Sequence, residues 1–176
     1  MEFFNSFVAE KAITLAKEVL RSGFVSEGEM VRKFENGLTK KLGHVNPVAV
    51  NSGTSALHLG LTLAGVGPDD EVILPAQTFV ASGLAVLMTG AMPIFADIQY
   101  ETGNIDPESI KHEITDKTKA IMPVHWAGYP CDMDEINEIA DNNNLVVIED
   151  AAHALGASYN GKPIGSISDF TAFSFQ

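Results

Sequence analysis

Apolar residues recur every three or four positions over the first part of the chain, which is the spacing of an amphipathic helix. Two such stripes are present, one over residues 7–20 and one over residues 30–42. A glycine follows each stripe, first Gly23 and then Gly43, and glycine commonly ends a helix. The pattern therefore predicts two helices, which together form an N-terminal helical segment over residues 1–45.

After this segment, short apolar runs alternate with longer stretches of helical pattern. Several runs are apolar on both faces, as expected of strands that are covered by helices on both sides. Residues 46–176 are therefore predicted to form an α/β domain, with a mostly parallel sheet and helices on both faces. The predicted strands are PVAV (47–50), EVILP (71–75), MPIFADI (92–98), KAIMPVH (119–125) and LVVIED (145–150). The predicted helices span residues 54–65, 78–90, 106–114 and 132–144.

The last part of the chain has a different pattern. Asn160 and Gly161 form a turn signal, and the alternating run DFTAFSF (169–175) predicts a further strand. The sequence stops at Gln176, next to this strand. We therefore expect the chain to be part of a longer protein, in which the α/β domain continues.

Composition narrows the class of protein. The chain carries 11 Lys and Arg residues and 23 Asp and Glu residues, which gives a formal net charge of −12. This charge argues against a nucleic-acid-binding surface, because such surfaces are basic. No apolar run reaches the roughly 18 residues of a transmembrane helix, and the N-terminus lacks the pattern of a signal peptide. Cys131 has no second cysteine to pair with, and the histidines lack metal-ligand spacing. These features predict a cytoplasmic protein that binds no nucleic acid, membrane or metal.

Ligands of parallel α/β sheets bind beyond the carboxyl ends of the strands, so the residues that follow the apolar runs are the candidates for chemistry. In NSGTSAL, Gly53 permits a tight turn, and Thr54 and Ser55 begin a helix whose N–H groups favour an anion such as phosphate. The alternative is a Ser or Thr that only caps the helix. The segment has neither the P-loop nor the dinucleotide-binding glycine pattern.

Asp150 ends the predicted strand LVVIED, where a buried carboxylate is costly unless it has a partner. A protonated heterocyclic nitrogen is one suitable partner, and capping of a helix DAAHALG is the alternative. His153 either faces the same ligand or is an ordinary surface or core histidine. Phe79 could stack on a planar ligand or belong to the core, and the hydroxyl of Ser174 could reach a phosphate or have no special role.

Two further segments after predicted strands have less specific patterns. His125 and Trp126 follow KAIMPV and fit either a pocket wall or a turn with a half-buried tryptophan. Cys131 has no flanking base, so it is better explained as a residue at a helix start than as a nucleophile.

In their order along the chain, these segments resemble the sugar aminotransferase family DegT/DnrJ/EryC1/StrS. Its members are fold type I enzymes that depend on pyridoxal 5′-phosphate (PLP). The resemblance covers nearly the whole chain, from GFVSEGEMVRKFENGL through NSGTSALHLGL, GPDDEVILPAQTFVAS, GAMPIFADI, TKAIMPVHWAG and DMDEI to VVIEDAAHALGASYNGKPIGSISDFTAFSF. Each segment alone is weak evidence, whereas the segments together in the family's order are strong evidence.

The resemblance implies that seven residues bind PLP: Gly53, Thr54, Ser55, Phe79, Asp150, His153 and Ser174. The backbone N–H groups of the helix start would hold the phosphate together with the Ser174 hydroxyl, and Phe79 would stack on the pyridine ring. Asp150 would pair with the protonated ring nitrogen, which lets the ring accept electrons. His153 would lie near the ring hydroxyl. The Schiff-base lysine of the family is expected beyond Gln176, because Lys162 comes too early in the chain.

The implied reaction transfers an amino group, usually from glutamate, through PLP to a nucleotide-linked keto sugar, and family members are generally homodimers. The loop at 23–28 and the pair at 125–126 are the candidate rim for a sugar. The two arginines, Arg21 and Arg32, lie in the helical segment, and this favours a sugar over a keto acid, which an arginine usually grips. The alternatives are a sugar dehydratase, in which histidine replaces the lysine, and a non-catalytic relative.

Overall fold

The structure, a computed structural model, describes residues 8–175, and the predicted helical position Phe7 and the terminal Gln176 lie outside that range. Its helices are α1 (Glu10–Ser22), α2 (Glu29–Leu42), α3 (Gly53–Leu63), α4 (Val80–Thr89), α5 (Pro107–Glu113) and α6 (Met133–Asn143). Its strands are β1 (Glu71–Pro75), β2 (Met92–Ala96), β3 (Thr118–Ile121), β4 (Val146–Asp150), β5 (Ser158–Tyr159), β6 (Lys162–Pro163) and β7 (Phe170–Ala172). Within this range, no helix has the length and apolar content needed to span a bilayer.

Five of these strands form one parallel sheet in the order β2-β1-β3-β4-β7. Successive side chains of a strand point to opposite faces of a sheet, and β1 shows the consequence. Its residues Val72 and Leu74 pack with residues of α3 and α4, whereas Ile73 packs with residues of α5 and α6. The prediction of a parallel sheet with helices on both faces is confirmed.

The N-terminal helices end where the sequence predicts. Gly23 and Gly43 follow α1 and α2 with φ values of 77° and 75°, a left-handed conformation that glycine adopts without strain. Helix α2 contacts the end of the chain, where the rings of Phe34 and Phe175 lie edge to face with centroids 5.0 Å apart. The division into a helical segment and an α/β domain at residue 45 stays a prediction.

The predicted strand at residues 47–50 is wrong. This segment lies outside all of the strands that the structure assigns within residues 8–175. A strand requires a neighbour that exchanges backbone hydrogen bonds with it. Here the Ala49 N–H donates instead to Oε1 of Glu35, at 2.9 Å. An apolar run therefore indicates a strand only where the fold supplies a pairing partner.

The chain after β4 contains turns and a hairpin instead of another helix. Residues 151–157 include two turns and no helix, so the alternative of a helix DAAHALG capped by Asp150 is wrong. The turn signal is confirmed, because Asn160 and Gly161 join β5 to β6 with φ values of 49° and 79°. Two successive positive φ angles are typical of a type I′ hairpin turn.

His44 is a buried histidine between α2 and α3. Its ring stacks on Phe173 with centroids 4.4 Å apart, and its Nε2 atom has no hydrogen-bond partner among the described residues. Burial lowers the pKa of His44, because a protonated imidazole would place an unpaired charge in the interior.

We predict that His44 makes the protein less stable as the pH falls below about 6.5, the ordinary histidine pKa. The unfolded chain takes up a proton there more readily than the folded protein, so the free energy of unfolding decreases. Urea unfolding at pH 7.5 and pH 5.5 measures this effect. The control is His44→Phe, which keeps a ring against Phe173 and removes the titration. Equal losses of stability in both proteins would assign the pH dependence to other groups.

Candidate functional site at the carboxyl edge of the sheet

A cleft opens at the carboxyl edge of the sheet, at the point where the order of successive strands reverses. Strand β2 lies on one side of β1 and β3 lies on the other, and ligands of open α/β sheets bind at such switch points. The walls come from the segments that follow β1, β3 and β4. They are lined by Thr78, Phe79, Val124, His125, Trp126, Asp150, Ala152 and His153.

Asp150 holds the only carboxylate among the residues that line this cleft. It is 6% exposed, and both of its oxygens accept hydrogen bonds from the protein. Oδ2 accepts from Oγ of Ser82 at 2.7 Å, and Oδ1 accepts from the Ala152 N–H at 3.2 Å. No Lys, Arg or His within residues 8–175 forms an ion pair with it. The cleft therefore presents a fixed carboxylate that lacks a cationic partner in the part of the chain that the structure describes.

The other two candidates from strand ends line the same cleft. Phe79 precedes the first residue of α4 in an extended conformation and is 70% exposed, so it is not a core residue. His153 is exposed, and its ring lies 6.0 Å from that of Trp126. The structure thus brings Phe79, Asp150 and His153 together.

The remaining candidates meet at the start of α3. Gly53, the first residue of α3, lies next to Ser174, because a methyl group placed on Gly53 would lie 3.2 Å from Cβ of Ser174. Gly60, later in the helix, lies next to Phe170, which comes earlier in the chain than Ser174; a methyl group on Gly60 would lie 3.5 Å from Cβ of Phe170. Helix α3 therefore runs antiparallel to β7, and its N-terminus lies at the carboxyl edge of the sheet. Glycine at position 53 permits the close approach to Ser174.

Ser52 caps α3, so the alternative of a serine cap within NSGTSAL is confirmed, at a residue that was not singled out. Its Oγ accepts from the Ser55 N–H at 3.1 Å and lies 3.0 Å from Oγ of Ser55. Thr54 and Ser55 are therefore first-turn residues and not the cap. The Ser55 N–H already has an acceptor, so a phosphate at this helix start would share that donor with Ser52. Phosphate binding there stays a prediction.

Trp126 is held in place by the loop that follows β2. The Trp126 backbone N–H donates to Oδ1 of Asn104 at 2.9 Å. The Asn104 Nδ2 donates to the carbonyls of Tyr129 and Pro130. A methyl group on Gly103 would lie 3.0 Å from Cδ1 of Trp126. These contacts fix the segment that carries the indole at the edge of the cleft.

The other two parts of the predicted rim differ in their relation to the cleft. His125 is among the residues that line the cleft, although its side chain is 0% exposed. The loop at 23–28 contributes no residue to the walls of the cleft. The His125 ring is paired with Glu149, and its contact with a sugar stays a prediction.

Cys131 lies two residues before α6 and is buried. Burial raises the pKa of its thiol, and the Sγ atom donates to the Val124 carbonyl at 3.2 Å. A thiol held in the protonated form is a poor nucleophile. Within residues 8–175, no three His, Cys, Asp or Glu side chains cluster in a way that could hold a metal ion, and the absence of a metal from the protein stays a prediction.

Comparison with known proteins identifies the same family along almost the entire chain. The model of the DegT/DnrJ/EryC1/StrS aminotransferase family matches residues 7–176. Spore coat polysaccharide biosynthesis protein SpsC of Bacillus subtilis is 46% identical over 96% of this chain and 43% of its own length. GDP-perosamine synthase of Caulobacter vibrioides is 47% identical over 85% of this chain and 40% of its own length.

A solved structure supports the fold. The PLP form of the putative sugar aminotransferase Spr1654 from Streptococcus pneumoniae superposes with a TM-score of 0.95 at 37% identity. The match covers 100% of this chain and 49% of that protein. The chain thus spans about half the length of the relatives it matches.

Proposed function

Since this chain belongs to the DegT/DnrJ/EryC1/StrS aminotransferase family, we propose that it forms the cofactor-binding part of a PLP-dependent sugar aminotransferase. The reaction moves an amino group from an amino donor such as glutamate to a nucleotide-linked keto sugar. The observation that carries this proposal is the Asp150 carboxylate, which has no cationic partner among the described residues and lines a cleft with an exposed aromatic ring.

The residues of the cleft fit PLP. A carboxylate that is nearly buried is stabilised by a cation, and the protonated pyridine nitrogen of PLP is one. A flat ring also fits against Phe79, whose side chain is exposed where a core phenylalanine would be covered. An anionic group such as the phosphate suits the N-terminus of α3, where backbone N–H groups and the helix dipole favour negative charge.

When bound, PLP supplies an electron sink for negative charge that develops on the substrate carbon. In the proposed site, Asp150 keeps the proton on the ring nitrogen, and Phe79 holds the orientation of the ring. Residues 53–55 and Ser174 hold the phosphate, and His153 lies toward the ring hydroxyl. The lysine that attaches the cofactor is expected in the chain beyond Gln176.

The proposed substrate is a nucleotide-linked keto sugar. Trp126 is half-buried at the edge of the cleft and offers a flat apolar face of the kind that packs against sugar rings. One of the relatives is named GDP-perosamine synthase, and another is a polysaccharide biosynthesis protein. A homodimer in the cytoplasm is part of the same proposal.

The two half-reactions of the complete protein test this proposal separately. Glutamate alone should convert the bound cofactor to its amine form, with a change in absorbance and release of 2-oxoglutarate. A panel of nucleotide-linked keto sugars and free keto acids then identifies the acceptor. Trp126→Ala should raise the KM for the sugar and leave the glutamate half-reaction unchanged, and Trp126→Phe, which keeps a ring, is the matched control.

Each alternative has its own outcome. Transfer to free keto acids but to no nucleotide-linked sugar would overturn the substrate class. Loss of water from the sugar without 2-oxoglutarate release would identify a dehydratase. A complete protein that binds no cofactor would be a non-catalytic relative.

A further inference from the structure

Ser82 is a buried polar residue on a mostly apolar helix. It is the third residue of α4, with a sequence VASGLAVLMT, and its side chain is fully buried beside Ala85 and Val86. Alanine would fill this position with a better helix propensity, and a buried hydroxyl is costly unless it is hydrogen-bonded. The presence of serine therefore requires an explanation in its contacts.

The contacts of Ser82 form a chain of hydroxyl groups that ends on Asp150. The Ser82 Oγ lies 2.7 Å from Oδ2 of Asp150, 3.2 Å from the Phe79 carbonyl and 2.6 Å from Oγ1 of Thr78. A serine hydroxyl has one proton, and a carboxylate only accepts. The shorter, charge-assisted bond takes that proton, so Thr78 donates to Ser82 and Ser82 donates to Asp150.

We propose that Ser82 is a positioning residue for a cationic heterocycle and acts through the Asp150 carboxylate. The inference rests on the proposed function and adds to it a residue from α4. Ser82 holds Oδ2 and the Ala152 N–H holds Oδ1, so the orientation of the carboxylate is fixed before a ligand enters. Each oxygen can accept a second hydrogen bond, which leaves acceptor capacity for a ring N–H in the cleft.

Binding of pyridoxamine 5′-phosphate to the complete protein, freed of its own cofactor, tests the inference without the need for turnover. Equilibrium dialysis gives the Kd for the wild type, Ser82→Ala, Asp150→Asn and the double variant. We expect Ser82→Ala to weaken binding about tenfold, the typical effect of one hydrogen bond to a charged group. Asp150→Asn should weaken it more. The double variant should bind no worse than Asp150→Asn, because Ser82 acts through Asp150.

A ligand without the ring nitrogen separates positioning from general structural support. In the deaza analogue of pyridoxamine 5′-phosphate a C–H replaces the nitrogen, so the wild type and Ser82→Ala should bind it equally. The matched control is Thr89→Ala, which removes a hydroxyl from the same helix at a site where it bonds only to neighbouring backbone. This control should leave both affinities unchanged.

The outcomes distinguish this inference from the proposed function. A wild-type protein that does not bind pyridoxamine 5′-phosphate would overturn both. Weaker binding by Asp150→Asn together with unchanged binding by Ser82→Ala would overturn only the role of Ser82. The same conclusion would follow if Ser82→Ala lost affinity equally for pyridoxamine 5′-phosphate and for its deaza analogue. If Ser82→Ala does not fold, Thr78→Val removes the donor to Ser82, and a two- to threefold loss confined to the nitrogen-containing ligand is then expected.

Discussion

Replacing Asp150 by Asn is expected to lower the kcat/KM for amino transfer by at least about a hundredfold, roughly 3 kcal/mol of transition-state stabilisation. The amide keeps the size of the side chain and can still accept from the Ala152 N–H, but it loses the negative charge. The ring nitrogen would then lose the partner that keeps it protonated, and the cofactor would accept electrons less readily. Kinetics of the complete protein with glutamate and a keto-sugar acceptor measure the loss.

Asp169→Asn is the matched control for this prediction. Oδ2 of Asp169 accepts from the Val147 N–H at 3.0 Å, which is at the amino end of β4, opposite the end that carries Asp150. The same change of charge there should leave kcat/KM close to the wild-type value. Near-normal turnover of Asp150→Asn would show that the carboxylate serves only the turn at Ala152.

The parts of the fold that were predicted correctly depend on local chemistry. Glycine after an apolar stripe ended both α1 and α2, and Asn160-Gly161 formed the hairpin turn. Strands β1 and β4 were predictable because each contains three consecutive apolar residues, 72–74 and 146–148, that are mostly buried on both faces of the sheet. Each of these signals lies within a few residues of the feature that it predicts.

The errors concern partners that are distant in sequence. Residues 47–50 have strand-like composition, but strand formation depends on a neighbouring strand, which the segment itself does not specify. Ser82 and Asp150 are 68 positions apart, so the sequence gives Ser82 no visible link to the cleft. The pairing of His125 with Glu149 was not predicted for the same reason, because the two residues lie 24 positions apart.

The candidate site was only partly accessible from the sequence. The rule that ligands bind beyond strand ends selected Phe79, Asp150 and His153, and the structure brings these three residues to one cleft. Gly53 and Ser174 also meet, although 121 positions separate them in the sequence (174 − 53). Their roles toward a cofactor came from the family resemblance and stay predictions until binding is measured.

His125, which is among the residues that line the cleft, forms a buried pair with Glu149. Both side chains are 0% exposed, and Nε2 of His125 lies 2.7 Å from Oε2 of Glu149. The His125 Nδ1 accepts from the Cys131 N–H at 3.1 Å, so the ring proton is on Nε2 and is donated to the carboxylate. The other oxygen of Glu149 accepts from Oγ1 of Thr171 at 2.7 Å.

This pair also joins two segments that build the cleft. His125 precedes Trp126, and Glu149 precedes Asp150. The backbones of the two segments are hydrogen-bonded as well, because the His125 N–H donates to the Asp150 carbonyl at 3.1 Å. A substitution that separates the pair would therefore affect stability and the position of the cleft residues together.

We predict that His125→Leu lowers the free energy of unfolding by about 3 kcal/mol, the upper end of the range for removal of a hydrogen bond from a buried charged group. The loss arises because the Glu149 carboxylate stays buried with only the Thr171 hydroxyl as a donor. The double variant His125→Leu/Glu149→Leu removes that charge and should be more stable than His125→Leu alone. Urea unfolding of the wild type, both single variants and the double variant gives the coupling energy. Additive losses, with a double variant less stable than either single one, would show that the two side chains stabilise the fold independently.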